Sequence, residues 1–585
     1  MKSSVSTDIN PNSVMDVAIV GGGVAGAYCA YRLMSKAAEE SRKKRGGREK
    51  LDVQLFEISD RIGGRLWSHR FPEVPTYPAE LGGMAFNDMM QNVFGLCAKE
   101  LDLPMRSFVT YDNVYLQYLR SHRFPNEAYT PEGEIPPDYY PNVIPYWLKE
   151  SERGKTPGTI IMDMINRALP PELRVLLAAY QKEAAAGNLR EALNAYSLFE
   201  DSLRLARISC EAEASVCNEP FYETGFWDLM NQSLGIEAYY LVYQAGGLNT
   251  MTKNWNCYDA VLYYTSFGSR PFKQLTDGYQ TLPVTLVEKF RENGGTVHLG
   301  ERLYYVGRVN GETGPIKQPI GTVPDDGSGD DLLELVFGPP VSSVRTRVFA
   351  RNVILAMPQF ALKQLDSESI IFRSVHSALS LNTVTSHASS KFFLTYDRPW
   401  WKEIEYAPGK YIVDGRSVTD LPMRQCLYVG NEPDDGPALL MGSYDDGPFA
   451  GYWDGYNYGS QWGPVMPNEF QGVVPTRPML KDISRQLCAV HGRELPRSRA
   501  AIFHDWSQAP FGGAWHFWNP RVRSWVTIPG IRRPIGGVNL YTCGESFSNQ
   551  QGWVEGAINT AEMVLEEYFG MPRPDWVDSN YRFGP

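Results

Sequence analysis

The residues near the start of the chain with the clearest chemical meaning are Gly21, Gly23 and Gly26, which follow the apolar run 16–20. In this spacing the first glycine permits a tight turn, the second lets the backbone approach a pyrophosphate, and the third lets a helix pack on a strand. Glu57 ends the next apolar run and is placed to accept hydrogen bonds from ribose hydroxyls. Together these features predict a dinucleotide site, although a glycine pattern alone would also fit an ordinary loop.

A charged segment, 37–50, makes the interval between Gly26 and Glu57 longer than the roughly 20 residues of the usual unit. It reads AAEESRKKRGGREK, so acidic residues flank its basic cluster. Mixed charge of this kind is typical of a solvated helix extension followed by a loop, rather than of a nucleic-acid surface.

Two more glycine groups follow Glu57, the first at Gly64 and Arg65 and the second at Gly83 and Met84. A nicotinamide cofactor does not need them. FAD does, because glycines let the backbone run close to the diphosphate while Arg65 neutralises it as a bidentate partner. Gly83 and Met84 would then pass beside the flavin ring. Either group alone could be a loop turn, but their order after Glu57 favours FAD.

The C-terminal part of the chain supplies a matching half of the same site. An apolar run ends at Glu545, an acid suited to ribityl hydroxyls, and Gly552, Trp553 and Val554 then lead into a predicted helix over 555–568. A helix N-terminus directed at the flavin N1/O2 edge would stabilise the anionic reduced ring. Since both halves serve one cofactor, the FAD-binding domain must be discontinuous.

These segments together resemble the flavin-containing amine oxidase family, and within it the L-amino-acid oxidase branch. Two further runs match that branch, 389–396 and 419–428. The resemblance implies that Lys391 holds a water near flavin N5 and that the Tyr428 hydroxyl binds the substrate carboxylate. It also implies that Trp553, beside Gly552, forms a wall next to the substrate amine.

Two more residues are candidates for the site, and the resemblance also implies a fold. Leu303 falls where the family has an apolar residue whose backbone meets the adenine, and Trp515 is a weaker candidate for substrate contact. The implied fold class is α/β, with a Rossmann-type FAD-binding domain, a mixed α+β substrate domain and an inserted helical domain. The predicted boundaries are 13–88, 270–362 and 497–568 for the FAD-binding domain, 89–158 and 363–496 for the substrate domain, and 159–269 for the helical domain.

The activity implied by the resemblance is oxidation of an L-amino acid by FAD and O2 to a 2-oxo acid, ammonia and hydrogen peroxide. Ala85 departs from this pattern, because the branch usually has a carboxylate-binding arginine there. The substrate could lack a carboxylate, another basic residue could substitute, or the chain could be an engineered variant. An amine oxidase, an amino-acid 2-monooxygenase and a flavoprotein that has lost catalysis therefore remain alternatives, and the preferred side chain is not determined.

Composition narrows the partners. The net charge of −11 argues against a nucleic-acid partner, which would require a net basic face. The sequence has no apolar run of about 18 residues and no apolar leader before the first strand, so we expect neither a membrane span nor secretion. The eight cysteines show no metal spacing, which favours reduced thiols, no metal site and a cytoplasmic location. The oligomeric state is not determined, and a homodimer is compatible with the sequence.

Overall fold

The computed structural model describes residues 9–11, 13–44, 50–108, 113–136, 138–248, 254–266, 270–309, 332–457 and 474–585. The turn-rich insertion predicted as a hairpin tip at 311–331 lies outside these residues. Within them, strands and helices follow the order expected for an α/β protein with an inserted helical region.

The strands lie in six of the described ranges of the chain. In chain order they are β1 Val14–Val20, β2 Val53–Glu57, β3 Ser68–His69, β4 Ala79–Glu80, β5 Met105–Ser107, β6 Val114–Leu119, β7 His122–Pro125, β8 Lys273–Leu275, β9 Thr296–Leu299, β10 Arg302–Arg308, β11 Leu333–Gly338, β12 Thr346–Leu355, β13 Val384–His387, β14 Ser389–Tyr396, β15 Glu405–Ala407, β16 Lys410–Tyr411, β17 Arg416–Thr419, β18 Gln425–Asn431, β19 Ala438–Asp446, β20 Ala501–Asp505, β21 Trp515–Trp518 and β22 Leu540–Thr542.

The α-helices are concentrated between β7 and β8. In chain order they are α1 Val24–Met34, α2 Lys36–Lys44, α3 Gln91–Gly95, α4 Tyr139–Asn142, α5 Pro157–Ala168, α6 Pro171–Ala186, α7 Leu189–Leu203, α8 Phe226–Ser233, α9 Ile236–Ala245, α10 Cys257–Thr265, α11 Thr281–Glu292, α12 Gln359–Lys363, α13 Val375–Ser380, α14 Asp454–Asn457, α15 Arg477–His491, α16 Ser524–Arg532 and α17 Val554–Phe569.

A seven-stranded sheet forms the centre of the FAD-binding domain, in the order β10-β11-β12-β1-β2-β9 with β22 beside β12. Strands β22, β12, β1, β2 and β9 pair in parallel, whereas β10 and β11 are antiparallel. The carboxyl-terminal parts of β1 and β12, residues 17–20 and 353–355, are apolar and buried, as expected for the interior of a parallel sheet.

A buried ion pair joins the first and last segments of this domain. Arg32 of α1 donates to both carboxylate oxygens of Glu562 in α17, at 2.7 and 3.0 Å, and the Tyr28 hydroxyl donates to the same carboxylate at 2.6 Å. Residues far apart in the chain therefore pack against each other, as the predicted discontinuous domain requires.

A second seven-stranded sheet, in the order β20-β14-β19-β18-β17-β6-β7, forms the substrate domain. It includes β20, whose Phe503 pairs with Phe392 of β14. The prediction that the FAD-binding domain resumes at 497 is wrong for this strand. The reason is backbone pairing over a long sequence distance, which the local pattern of β20 does not encode.

The inserted region is helical from α5 to α10, as predicted. The helical periodicity of this region predicts two helices, at about 173–186 and 189–207, with a break between them. The structure has them as α6 and α7, separated at Gly187, and α7 ends at Leu203. Gly187 ends α6 with φ +79°, a left-handed conformation that glycine adopts without a side-chain penalty.

The prediction that the cysteines are reduced thiols is wrong for two of them. Cys210 and Cys217 form a disulfide, because the short helical turn that begins at Cys210 brings the two Cα atoms to 4.7 Å. The other six cysteines are free thiols, five of them buried. Disulfides are typical of oxidising compartments, and the cytoplasmic location stays a prediction.

Within the described ranges, every helix is too short or too polar to cross a bilayer. In the same part of the chain, no three side chains of the metal-binding types come together at one point.

Candidate active site

A cavity of about 260 Å³ lies at the carboxyl ends of β1, β2, β12 and β22, where ligands bind in open parallel sheets. Segments far apart in sequence meet there, including the turn after β1, the end of β2 and the N-terminus of α17. The predicted residues that line this cavity are Gly21, Gly23, Glu57, Gly64, Arg65, Gly83, Leu303, Glu545, Gly552, Trp553 and Val554.

The glycine turn has the three properties inferred from its spacing. Gly21 has φ +113°, and a Cβ there would lie 2.3 Å from the Ala356 carbonyl oxygen. A Cβ on Gly23 would meet nothing closer than the Gly64 Cα at 3.9 Å, so this side of the turn is open to a ligand. Gly26 does not line the cavity. It lies inside α1, where a Cβ would be 1.9 Å from the Gly21 carbonyl oxygen, so its role is close packing.

Glu57 is held at the end of β2 by the turns on either side of it. One carboxylate oxygen accepts from the Gly22 amide at 2.5 Å, and the other accepts from the Ser59 amide at 2.9 Å and the Ser59 hydroxyl at 2.7 Å. The carboxylate is therefore fixed at the cavity wall beside the glycine turn.

Arg65 and Glu545 bind each other across the opposite part of the cavity, at 2.8 Å. Glu545 also accepts from the His516 amide and ring and from the Gly552 amide. Burial alone would raise the pKa of Glu545, but Arg65, His516 and the Gly552 amide together lower it to about 2. Arg65 was expected to neutralise a diphosphate, and the structure pairs it with Glu545 instead. His516 was missed because no local pattern marks it.

Met84 does not line the cavity, although its neighbour Gly83 does. The Met84 side chain packs into an apolar cluster between the domains with Leu81, Phe393 and Leu427. The prediction that Met84 contacts the cofactor is therefore wrong for its side chain, because alternation along this extended segment turns it away from the cavity.

Lys391 lies in the middle of the fully buried β14, as the apolar pattern of this strand suggests. Its Nζ donates to the Glu80 carbonyl at 3.0 Å and to the Gly82 carbonyl, and it lies 4.7 Å from the ring centroid of Tyr444. Burial lowers the pKa of Lys391 to about 7, partly opposed by the charge of Glu80. Lys391 does not line the cavity itself, but it binds the segment that carries Gly83 into the cavity wall.

Tyr428 lies outside the site, which contradicts its predicted role in binding the substrate carboxylate. Its hydroxyl is 2.7 Å from the Ser417 hydroxyl and 2.7 Å from His491 Nε2, inside the core behind the substrate sheet. Side chains alternate along a strand, so it is Leu427 that faces the apolar cluster containing Ala85. Neither of the two expected carboxylate-binding positions therefore offers a polar side chain to the site.

Three short segments carry Ala85 and its neighbours across one small sheet. Phe86 pairs with Lys273, and Arg106 pairs with Gln274. In this register Ala85, Gln274 and Arg106 lie side by side on one face, because directly opposed residues of adjacent strands share a face. No local sequence pattern indicates Arg106, since its nearness to Ala85 depends on pairing between distant segments.

Trp553 forms part of the cavity wall, and Phe272 stacks on it with ring centroids 5.7 Å apart and planes 16° from parallel. Phe272 is two residues before Gln274 and so lies on the same face as Arg106. Trp515 stands behind Gly552, where a Cβ on the glycine would come within 3.7 Å of the Trp515 side chain, and it does not line the cavity. Phe272 was missed by sequence reasoning.

The residues of the cavity fit FAD. The helices α1 and α17 begin at the cavity with Gly23 and Trp553 as N-caps, and neither cap uses a side chain. Their first N–H groups are therefore available, one set for a diphosphate and the other for the electron-rich edge of a flavin. When bound, FAD would supply a two-electron acceptor, and Glu57, Glu545 and the glycine turns are the residues that would hold and orient it.

Comparisons with known proteins agree with this fit. The family model for flavin containing amine oxidoreductases matches residues 24–564. Aplysianin-A of Aplysia kurodai is 25% identical over 574 residues, covering 95% of this chain and 91% of that protein. The L-amino-acid oxidase BmooLAAO-I of Bothrops moojeni is 22% identical over 562 residues, with 96% and 89% covered. A structure of putrescine oxidase bound to putrescine has a TM-score of 0.58 at 16% identity and covers 96% of this chain and 100% of its own, which shows a shared fold.

The fold and the site thus define an FAD-dependent oxidoreductase of the α/β class. Because the family model spans nearly the whole chain, the protein belongs to the flavin-containing amine oxidoreductase family, and its cofactor is FAD.

Proposed function

We propose that the protein is an L-amino-acid oxidase. The reaction consumes an L-amino acid, O2 and water, and yields a 2-oxo acid, ammonia and hydrogen peroxide. The similarity to an L-amino-acid oxidase over most of both chains supports this assignment, but at 22% identity it does not decide the substrate. The substrate must therefore be argued from the side chains near Trp553.

The observation that carries the proposal is that Arg106 has no ion-pair partner among the described residues. Its guanidinium carbon lies 4.6 Å from the Tyr77 ring centroid, and among the described residues it forms no ion pair and its Nε has no hydrogen-bond partner. Burial lowers the pKa of Arg106, while Tyr77 and Glu80 act in the opposite direction. A half-buried arginine without a carboxylate partner favours an anionic ligand, and guanidinium binds carboxylate in a bidentate geometry.

The position of Arg106 matches this role. It shares a face with Ala85, the position at which the family resemblance implies a carboxylate-binding arginine, and with Phe272, which stacks on Trp553. We infer that Arg106 substitutes for the missing arginine. The aromatic pair Phe272 and Trp553 then forms the wall beside the reacting amine, and the substrate is oriented between two fixed elements.

Lys391 supports the same reaction as a residue that holds water. A lysine ammonium has three donors, and backbone carbonyls of the Glu80–Gly82 segment take two of them. The third can hold a water on the side of Gly83. We infer that this water serves oxygen reduction or imine hydrolysis, and that no separate catalytic base is needed when the amine enters neutral.

One observation favours an amine oxidase instead. Ala85 and Leu427 lie in one apolar cluster, which would suit a substrate without a carboxylate. Product analysis of the holoenzyme with a panel of L-amino acids decides between these functions. We expect 2-oxo acid, ammonia and hydrogen peroxide in equal amounts. An amide with carbon dioxide would identify a monooxygenase, and turnover of amines alone would identify an amine oxidase.

A further inference from the structure

A second cavity lies between the helical region and the segment that precedes α17, and its volume is about 30 Å³. The helices α7 and α10 contribute Glu200 and Asp259 to its wall, and the C-terminal segment contributes Asn549 and Gln550. Trp553 belongs to the walls of both this cavity and the FAD cavity. The second cavity is therefore next to the reaction site but separate from the cofactor.

Of the two buried carboxylates of this cavity, Asp259 lacks a matching positive charge. Glu200 and Asp259 are each only 7% exposed. Glu200 pairs with Arg204 at 4.0 Å and also interacts with the charge of Arg582, whereas in the described part of the chain no arginine or lysine lies within ion-pair distance of Asp259. Burial raises the pKa of both groups, and for Asp259 the charge of Glu200 adds to the effect.

Residues of the cavity wall also carry buried polar atoms that have no partner in the described part of the chain. One Asp259 oxygen accepts from the Ser524 hydroxyl at 2.8 Å, but the other has no partner among the described residues. In the same part of the chain, the side-chain oxygens of Asn549 and Gln550 and the Nε1 of the 96%-buried Trp255 also lack partners. A buried polar group without a partner is destabilising, so the arrangement favours a bound ligand.

The size and chemistry of the cavity restrict that ligand. A group the size of a water molecule needs about 10–15 Å³ of cavity volume. The cavity of about 30 Å³ therefore holds about two such groups. Among the partnerless atoms just named, three are acceptors, on Asp259, Asn549 and Gln550, and one is a donor, the indole of Trp255. A compact cation with several N–H donors satisfies the acceptors, and a water satisfies Trp255.

We propose that this cavity binds an ammonium group, held by Asp259 and Glu200 and accompanied by a water on Trp255. The ammonium has two sources that share this chemistry. It is either the ammonium ion that deamination releases or the terminal ammonium of a substrate side chain that passes along Trp553. The assignment of the source rests on the proposed deamination, whereas binding of the free ion can be measured without turnover.

The first arm of the test measures binding of the free ion. The melting temperature of the holoenzyme is followed in ammonium chloride and in tetramethylammonium chloride at equal ionic strength. The second cation has no N–H donor and is too large for the cavity. We expect a saturable rise with ammonium alone, and loss of this rise in Asp259→Asn and in Glu200→Gln. Asn retains an acceptor for Ser524, so the first variant preserves that hydrogen bond.

The second arm compares kcat/KM for L-lysine with that for L-norleucine, which has the same carbon chain without the ammonium. If the side chain is the source, the ratio exceeds about ten in the wild type and falls at least about tenfold in either variant, mainly through KM. The control is Asp201→Asn, a neighbour of Glu200 that is 39% exposed and pairs with Arg204 and Arg582, and it should leave both arms unchanged.

The possible outcomes distinguish the two sources of the ammonium group from failure of the proposal. An ammonium-specific rise alone supports the site with the free ion as its source, and a lysine preference that depends on Asp259 and Glu200 supports the side chain. If neither response depends on these two carboxylates, the ammonium site is refuted. If the wild type shows neither the ammonium-specific rise in melting temperature nor the preference for lysine, the ammonium site is refuted even where a variant fails to fold. Failure to oxidise any amino acid would instead refute the proposed function.

Discussion

Replacement of Arg106 by methionine should selectively reduce activity toward carboxylate substrates. The guanidinium has no carboxylate partner in the described structure, so the variant breaks no ion pair and keeps much of the packing on Tyr77. A charge-assisted hydrogen bond to a carboxylate contributes about 1.5–3 kcal/mol. At about 1.4 kcal/mol per factor of ten, kcat/KM for an L-amino acid should fall about 10- to 150-fold.

The assay is peroxide production from an L-amino acid and from the amine formed by its decarboxylation. Arg106→Met should lower only the first, and Ala85→Arg in the same background should restore part of it, since residue 85 shares a face with residue 106. The matched control is Arg270→Met, which removes a neighbouring arginine already paired with Asp88. Equal losses for the acid and the amine, or no loss for either, would refute the role of Arg106.

Three further predictions concern the cofactor site. Lys391→Met should slow flavin reoxidation by O2 more than flavin reduction in stopped-flow traces. Reoxidation of the wild type should slow as the pH rises through about 7, where Lys391 loses its charge. Slowing of flavin reduction alone in the variant would contradict this role. The pKa of Glu545 falls from 4.5 to about 2 on folding, which corresponds to about 3 kcal/mol that is present above pH 4.5 and lost as the pH falls toward 2. The melting temperature of Glu545→Gln should therefore lie below that of the wild type at pH 6, with a gap that narrows below pH 4.5, and a gap independent of pH would count against the ion pair with Arg65. FAD should be bound non-covalently, because no cysteine, histidine or tyrosine of the described chain lines the cavity and the Cys543 sulfur lies 4.0 Å from that of Cys29. Acid precipitation should therefore leave the yellow colour in the supernatant, and a yellow pellet would contradict this prediction.

The cofactor half of the site could be predicted from the sequence because its determinants are local. Gly21 and Gly23 form the turn, and Glu57 ends the adjoining strand, so short-range spacing defines their geometry. Glu545 and Trp553 were found for the same reason, since each lies at the boundary of an apolar element. The structure adds the partners of these residues, such as His516 for Glu545, which come from another part of the chain.

The substrate half could not be predicted in the same way. The role of Tyr428 rested on the family resemblance alone, whereas in the structure Tyr428 and its neighbour Leu427 lie on opposite faces of β18. Arg106 and Phe272 reach Ala85 only through pairing of separate segments. The pair Glu200 and Asp259 depends on how two helices pack, which the periodicity of each helix does not determine.

The most direct test of oxidative deamination is the rate of flavin reduction without oxygen. The holoenzyme is mixed anaerobically with an L-amino acid, with its D-enantiomer and with the corresponding decarboxylated amine, and the flavin absorbance is followed. We predict rapid, saturable bleaching by at least one L-amino acid and much slower bleaching by the enantiomer and the amine. Bleaching by the amine at an equal or higher rate, or no bleaching by any L-amino acid, would contradict the account.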